Sequence, residues 1–267
     1  MSICYVFANQ KGGVGKTTTV VNVAAAMAGW GLRVLVVDID PQCNATTSLG
    51  LDSRSLEISV YDVLIGTATV ADARRDTSWQ RLHLVPSTPG LAGAAVELNA
   101  EPAHQRIGHL ASALASLDGY DYVLIDSPPS LGVLTVNALV AARGVIVPVQ
   151  CEYLALEGLT QLTHTLSLVQ RGIHQELPLR GVVLTMYDRR TTLSNQVVDE
   201  VRRYFPNRVF DTVIPRSVRL SEAPSYGEPG VLYAPRSSGA IAYLALAHEL
   251  LTGDGYAVDW EPDTPLV

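Results

Sequence analysis

The chain has 267 residues, 48% of them hydrophobic and 17% charged, and a formal net charge of −7. That length buries one large core, the composition excludes a disordered or fibrous protein, and no apolar run reaches the roughly 20 residues that cross a bilayer. The three cysteines, Cys4, Cys43 and Cys151, are odd in number and far apart, which excludes a disulfide framework and a cysteine-held metal cluster and fits a reducing cytoplasm.

The first predicted element is an apolar β run from Ile3 to Ala8. It begins too close to Met1 for a signal peptide to be expected ahead of it. It leads into Asn9-Gln10-Lys11-Gly12-Gly13-Val14-Gly15-Lys16-Thr17-Thr18-Thr19 and then into a helical apolar pattern through Val20, Val21, Val23, Ala24 and Met27. Lys11 and Lys16 are the only lysines; the remaining permanent cations are arginines. An ammonium is a compact point charge where a guanidinium is a planar fork, so this loop asks for point charges. Gly12, Gly13 and Gly15 carry no Cβ, which lets several backbone N–H groups, that of Val14 among them, turn into one hollow at the positive end of the helix. Such a hollow holds phosphate. Lys16 is then placed to bridge the β- and γ-phosphates, Thr17 to ligate Mg²⁺ and Thr18 to touch the α-phosphate. The loop departs from the usual phosphate-loop pattern at Gln10, where that pattern has glycine, and carries Lys11 in addition.

A second strand, Arg33 to Asp38, ends in Asp38-Ile39-Asp40-Pro41. Pro41 biases Asp40 away from the α region, and a carboxylate at that strand end is placed to orient or deprotonate an attacking water beside the metal. Asp38 reads equally well as support for that loop or as a simple turn residue. Further strands are expected at Leu82 to Pro86, Tyr122 to Asp126, Val145 to Val149, Gly181 to Met186 and Val209 to Ile214. Helices are expected over 104–117, 133–142, 155–171, 193–204 and 238–251. Several strands are apolar on both faces, as in a buried parallel sheet. The alternation predicts an α/β fold: a doubly wound, mostly parallel sheet flanked by helices, with ligand groups at the carboxyl ends of its strands. Asp126, at such an end, reads as a carboxylate that holds Mg²⁺ through water, or as a cap on the Ser127-Pro128-Pro129 turn. One domain is expected over residues 1–251. Residues 252–267 hold Asp254, Asp259, Glu261 and Asp263 and no base, and read as a mobile, solubilising tail.

The acidic balance opposes nucleic-acid binding, but the arginines are unevenly spread. Arg189, Arg190, Arg202, Arg203, Arg208, Arg216 and Arg219 fall in one C-terminal stretch, a local footprint suited to phosphate contacts. Arg189 and Arg190 precede a helix start, where positive charge opposes the helix dipole by roughly 0.3 to 1 kcal/mol. Stability therefore does not recommend them. The plain alternative is a solvated pair with Asp188 as partner.

The runs KGGVGKTT, VDIDPQCN, VLIDSPPSLG, LTMYDRRTTLSNQV and IPRSVRLSEAPSYG together resemble the ParA/Soj family of partition ATPases, with its deviant Walker A loop, within the larger group that includes MinD. The resemblance spans Ile3 to about Leu251. It implies ATP and Mg²⁺ as cofactors and a homodimer with ATP sandwiched between subunits. It makes Lys11 the signature lysine that reaches the partner's nucleotide, and Asp40 the catalytic carboxylate. Met186, Pro215 and Arg216 then border the adenine. It also implies non-specific double-stranded DNA binding in the ATP state, with Arg190 the first choice for a contact and Arg189 and Arg219 beside it. A ParB/Spo0J-like partner would stimulate hydrolysis, and the protein would be cytoplasmic and nucleoid-associated. Cys43 stands where many relatives have glycine.

The chain offers no helix-turn-helix ahead of the first strand, so operator binding is not expected. The alternative reading, a MinD-like ATPase acting at the membrane, calls for a basic amphipathic helix at the end. The segment Ala240 to Leu251 is instead apolar almost all round and reads as core. A metabolic ligase on the same loop would need its own polar substrate constellation, and none is legible.

Overall fold

The computed structural model describes residues 2–102, 105–152, 167, 170 and 177–266. Its first half runs β1 (Ile3–Phe7), α1 (Lys16–Gly29), β2 (Val34–Asp38), α2 (Asn44–Ser48), α3 (Val60–Leu64), α4 (Val70–Ala73), β3 (Arg75–Asp76) and β4 (Leu82–Val85). There follow α5 (Leu91–Ala100), α6 (His109–Ala115), β5 (Tyr122–Asp126), α7 (Val133–Ala141), β6 (Gly144–Gln150), β7 (Leu179–Tyr187), α8 (Thr192–Tyr204) and β8 (Val209–Pro215). The chain closes with α9 (Val218–Glu222), a 3₁₀ turn (Ala223–Tyr226), α10 (Gly230–Tyr233) and α11 (Ser238–Gly253).

The eight strands form one sheet in the order β3-β4-β2-β5-β1-β6-β7-β8. All pairs are parallel except β3 with β4. Strands β2 and β5 are buried along their whole length, as expected of a sheet covered on both faces. From β1 the chain moves out to β2 and β4, returns to β5, and only then crosses to β6. The direction of winding therefore reverses at β1, and such a reversal opens a crevice at the carboxyl ends of the strands. The register aligns those ends, with Phe7 and Asp38 both opposite Asp126.

Helix α1 carries the loop after β1 and is the most buried helix among the described residues, every residue from Thr19 to Ala28 being covered. Its alanines allow close approach to the sheet on one side and to α11 on the other. Gly31, at φ 92°, ends it in the left-handed conformation open to glycine, its N–H bonding the Ala28 carbonyl. Helix α8 begins where Thr191 accepts a hydrogen bond from the Ser194 N–H, an ordinary threonine cap.

The doubly wound, mostly parallel sheet stands as expected, and so do its seven predicted strands. The short elements α2, α3, α4, α9, the 3₁₀ turn and α10, of four or five residues each, were not anticipated, and neither were β3 and α5. The two-residue β3 is too short to show a period, and α5 follows the turn-forming run Ser87-Thr88-Pro89-Gly90 and contains Gly93, residues that mask a helical pattern. The helix expected at 104–117 is described as His109–Ala115, while that expected at 155–171 lies outside the described residues apart from 167 and 170.

Within the segment read as an acidic tail, Asp254 is no solubilising charge. Its side chain is 7% exposed and accepts hydrogen bonds from Tyr5 Oη (2.8 Å), Tyr122 Oη (2.9 Å) and Arg180 Nε (3.0 Å). Further along, Trp260 packs against Trp30 and His248, and Leu266 fills the space left by the absent Cβ of Gly29. Burial and three donors outweigh the composition that suggested solvent.

Asp254→Ala would leave the half-buried Arg180 charge unpaired and two tyrosine hydroxyls without an acceptor. We expect a loss of about 3 kcal/mol, read by calorimetry as a Tm lower by roughly 6 to 12 °C. Asp254→Asn should recover part of it.

Candidate nucleotide and magnesium site

The loop between β1 and α1 is pinned from three sides. Asn9 is buried and donates to the Pro148 carbonyl at 2.8 Å, while its own side-chain oxygen accepts the Lys11 N–H at 3.0 Å. Thr185, in β7, donates to the Val14 carbonyl at 2.8 Å. Gly13 (φ 74°) and Gly15 (φ 88°) take left-handed conformations that a side chain would strain. Gly15 caps α1, so the first helical N–H groups face the loop's hollow.

Lys16 lies inside this loop. It is 7% exposed, and its Nζ reaches the Lys11 carbonyl at 3.5 Å. Burial pulls its pKa down, and the charges of Asp126 and Asp40 oppose that fall. Lys11 differs in being 36% exposed at the rim, 3.7 Å from Glu152. Thr17 donates to Asp126 Oδ2 at 2.6 Å, and the Thr18 carbonyl accepts from Asn22 at 2.7 Å.

Asp126 and Asp38 sit side by side at neighbouring strand ends, both fully buried. Burial and the charge of Asp38 push the Asp126 pKa well above the usual carboxylate range, against the Thr17 bond. Burial raises Asp38 to about 6 despite three hydrogen bonds. Asp126 Oδ1 is buried with no hydrogen-bond partner among the described residues. A carboxylate oxygen so placed, beside a threonine hydroxyl and two more carboxylates, fits a divalent cation, whose charge would favour the ionised form that burial disfavours. Among the described residues no three His, Cys, Asp or Glu side chains form a ready-made cage. That suits Mg²⁺, which takes most of its ligands from water and phosphate.

The two readings of Asp38 resolve here, because its carboxylate organises the loop that follows. Oδ1 accepts the Asp40 N–H at 3.1 Å, and Oδ2 accepts both the N–H (2.8 Å) and the hydroxyl (2.7 Å) of Thr46. Thr46 Oγ1 accepts the Ser87 N–H at 2.9 Å, and the Ser87 hydroxyl donates to the Asp40 carbonyl at 2.7 Å. Asp40 is thereby fixed at 6% exposure, within electrostatic reach of Lys16 and Asp126. Cys43 (φ 57°) turns the chain into α2 in a conformation that favours glycine.

At the rim, Met186 takes a left-handed φ of 52°, and Pro215 pairs with Tyr187, whose carbonyl accepts the Arg216 N–H at 3.0 Å. Arg216 also reaches Glu152 at 3.4 Å. The paired ends of β7 and β8 bring the turn with Arg189 and Arg190 and helix α9 with Arg219 to the same edge of the sheet. Arg190 is 82% exposed and holds Asp188 through two guanidinium bonds, at 2.9 and 2.7 Å, which keep that carboxyl well below its usual range. Arg219 pairs with Glu222 at 2.8 Å. Sequence reading passed over Thr46, Ser87, Glu152 and Thr185, all brought in from other strands or loops. Only Asn9, inside the motif, had a local signal.

A glycine-rich loop between the switch-point strand and a buried helix, with an internal lysine and carboxylates on the adjoining strand ends, defines a phosphate-loop nucleotide-binding protein. A family model described as an AAA domain matches residues 2–179. The chain is 54% identical over 243 residues to the sporulation initiation inhibitor protein Soj of Bacillus subtilis, covering 91% of this chain and 95% of that one. It is 48% identical over 247 residues to the chromosome partitioning protein ParA of Myxococcus xanthus, covering 92% and 87%. Among solved structures it resembles cobyrinic acid a,c-diamide synthase from Mycobacterium smegmatis with bound ATP analog and magnesium, at TM-score 0.83 and 40% identity over 98% of this chain and 100% of the other. The chain belongs to the ParA/Soj family of chromosome partitioning proteins.

Two outcomes follow from the site. Lys16→Ala should weaken ATP binding by at least about a hundredfold in calorimetry, since neutral N–H groups then face the phosphates alone. The second concerns pH. The carboxyls of Asp126 and Asp38 are raised in the folded state, so their contribution is full below about pH 4 and is lost as the pH rises through the folded values, about 6 for Asp38. Asp126→Asn should therefore raise the Tm of nucleotide-free protein near pH 8, with the gain vanishing near pH 4, and should abolish the Mg²⁺ dependence of nucleotide binding.

Proposed function

We propose that this protein is a DNA-partition ATPase that dimerises around ATP and Mg²⁺, binds DNA non-specifically in that state, and is released by hydrolysis. The observation that carries the reading is the division of labour between the two lysines. Lys16 is enclosed by its own loop, while Lys11 stands at the rim, where it is placed to meet a second subunit. Both the family and the ATP analog and magnesium of the mycobacterial structure support the cofactors. Thr17 and Asp126, with Asp40 beside them, would hold the magnesium ion, which supplies charge neutralisation for the leaving phosphates. Asp40, fixed by Asp38 and Ser87, orients the attacking water. Met186, Pro215 and Arg216 border the base. Arg189, Arg190 and Arg219 contact DNA phosphates, and doubling these contacts in a two-fold dimer makes binding depend on ATP. A ParB/Spo0J-like partner stimulates hydrolysis, and the protein works on the nucleoid in the cytoplasm.

The MinD-like reading is less favoured. That reading calls for a basic amphipathic helix at the end, whereas α11 carries no lysine or arginine and turns Ala240, Tyr243, Leu244, Ala247 and Leu251 into the core against α1 and β8. The diamide synthase is less similar to this chain than Soj or ParA, which sets a metabolic reading second.

Asp40→Ala should bind ATP normally yet cut turnover at least about a hundredfold, so dimers accumulate in sedimentation. Unchanged turnover would move the catalytic role elsewhere. Arg190→Glu should dimerise and hydrolyse ATP like the wild type but lose retardation of long duplex DNA at low salt. Wild-type protein that leaves such DNA unshifted with ATP would end the partition reading.

A further inference from the structure

Glu152 stands just beyond β6, half-exposed, and three donors converge on it. Gln150 Nε2 donates to Oε1 at 2.6 Å and Arg216 Nη2 approaches the same oxygen at 3.4 Å, while Lys11 Nζ lies 3.7 Å from Oε2. Lys11 comes from the loop after β1 and Arg216 from the turn after β8. One carboxylate thus gathers the two rim cations from opposite ends of half the sheet, and the mechanism above gives it no part.

The exposures suggest what such a contact does. Side-chain accessibilities are 36% for Lys11, 59% for Arg216 and 46% for Glu152. Water screens pairs at this exposure, so they bias equilibria by a few fold rather than by orders of magnitude. They hold a cation and still yield it to a stronger anion, and a triphosphate is one. Lys16, within its own loop, faces no such competition from Glu152.

We propose that Glu152 is a positioning residue that retains Lys11 on its own subunit, so that Lys11 must leave Glu152 before it reaches the phosphates of a second copy. This rests on the reading of Lys11 as the lysine that acts across the dimer. Glu152 then raises the nucleotide-dependent threshold for pairing. Because a two-fold dimer opens two such contacts, the effect enters the dimer constant twice, and about threefold per contact becomes about tenfold per dimer.

The test is sedimentation equilibrium with a non-hydrolysable ATP analogue and Mg²⁺ on wild type, Glu152→Gln, Glu152→Asp, Glu200→Gln and Lys11→Ala. Glu200→Gln removes the same charge from an exposed pair with Arg203. Glu152→Gln should tighten dimerisation by roughly three- to tenfold, and Glu152→Asp should fall between it and the wild type. Glu200→Gln should match the wild type. Nucleotide affinity of the monomer, measured well below the dimer constant, should stay within about twofold, and the gain should shrink as salt screens the pair. Dimerisation of Glu152→Gln that equals or falls below the wild type overturns the proposal. If Lys11→Ala dimerises as the wild type does, the reading of Lys11 itself fails, whatever Glu152→Gln does.

Discussion

Everything at the working edge of this protein depends on charge held away from water at the carboxyl ends of β1, β2 and β5. Asp38 and Asp126 are fully buried neighbours, Asp40 is nearly so, and Lys16 is enclosed by the adjoining loop. Ionised carboxylates so close together are costly to bury. The fold tolerates them because Thr46, Thr17 and backbone N–H groups satisfy most of their oxygens and Lys16 offsets part of the field. What is left unsatisfied, above all Asp126 Oδ1, is what would recruit a cation in the proposed function. Stability surrendered here is the source of binding.

The rest of the molecule keeps that edge rigid. Helix α1 is clamped between the sheet and α11, so the glycine loop has a fixed platform. At the far end of α1, the Asp254 carboxylate ties β1, β5 and β7 together through Tyr5, Tyr122 and Arg180. The edge strand β8 is guarded as well: Glu249 accepts the N–H groups of Asp211 and Thr212, and Arg202 bonds the Asp211 carbonyl. Satisfied edge groups discourage a second chain from adding a strand there.

The segment after β2 and the arginine-bearing segment also touch. The turn after α2 meets the turn after the 3₁₀ helix at Gly50 and Gly227, where a Cβ on Gly227 would come within 2.9 Å of the Gly50 Cα. Both glycines have positive φ. Asp38 holds α2 through Thr46, and α9 with Arg219 runs directly into that 3₁₀ turn. The nucleotide edge and the proposed DNA edge therefore meet through backbone contact, where a side chain cannot fit.

The sequence by itself determined the parts of this protein that depend on neighbours along the chain. Glycine spacing, the two lysines and a strand-then-helix pattern sufficed for the phosphate loop, and apolar runs sufficed for the parallel sheet. The same local logic singled out Asp38, Asp40 and Asp126, because strand ends are visible in one dimension. Tertiary structure alone decided that Asp38 anchors the Asp40 loop through Thr46 and Ser87, that Thr185 supports Val14, and that Glu152 faces both Lys11 and Arg216. Apart from Asp38 and Thr46, which are eight residues apart, those partners are separated by dozens of residues or more and come together only through strand order and register. It also decided the place of Asp254, which composition assigned to solvent: a carboxylate's burial depends on whether donors converge on it, and donors from β1, β5 and β7 converge only once the sheet has formed.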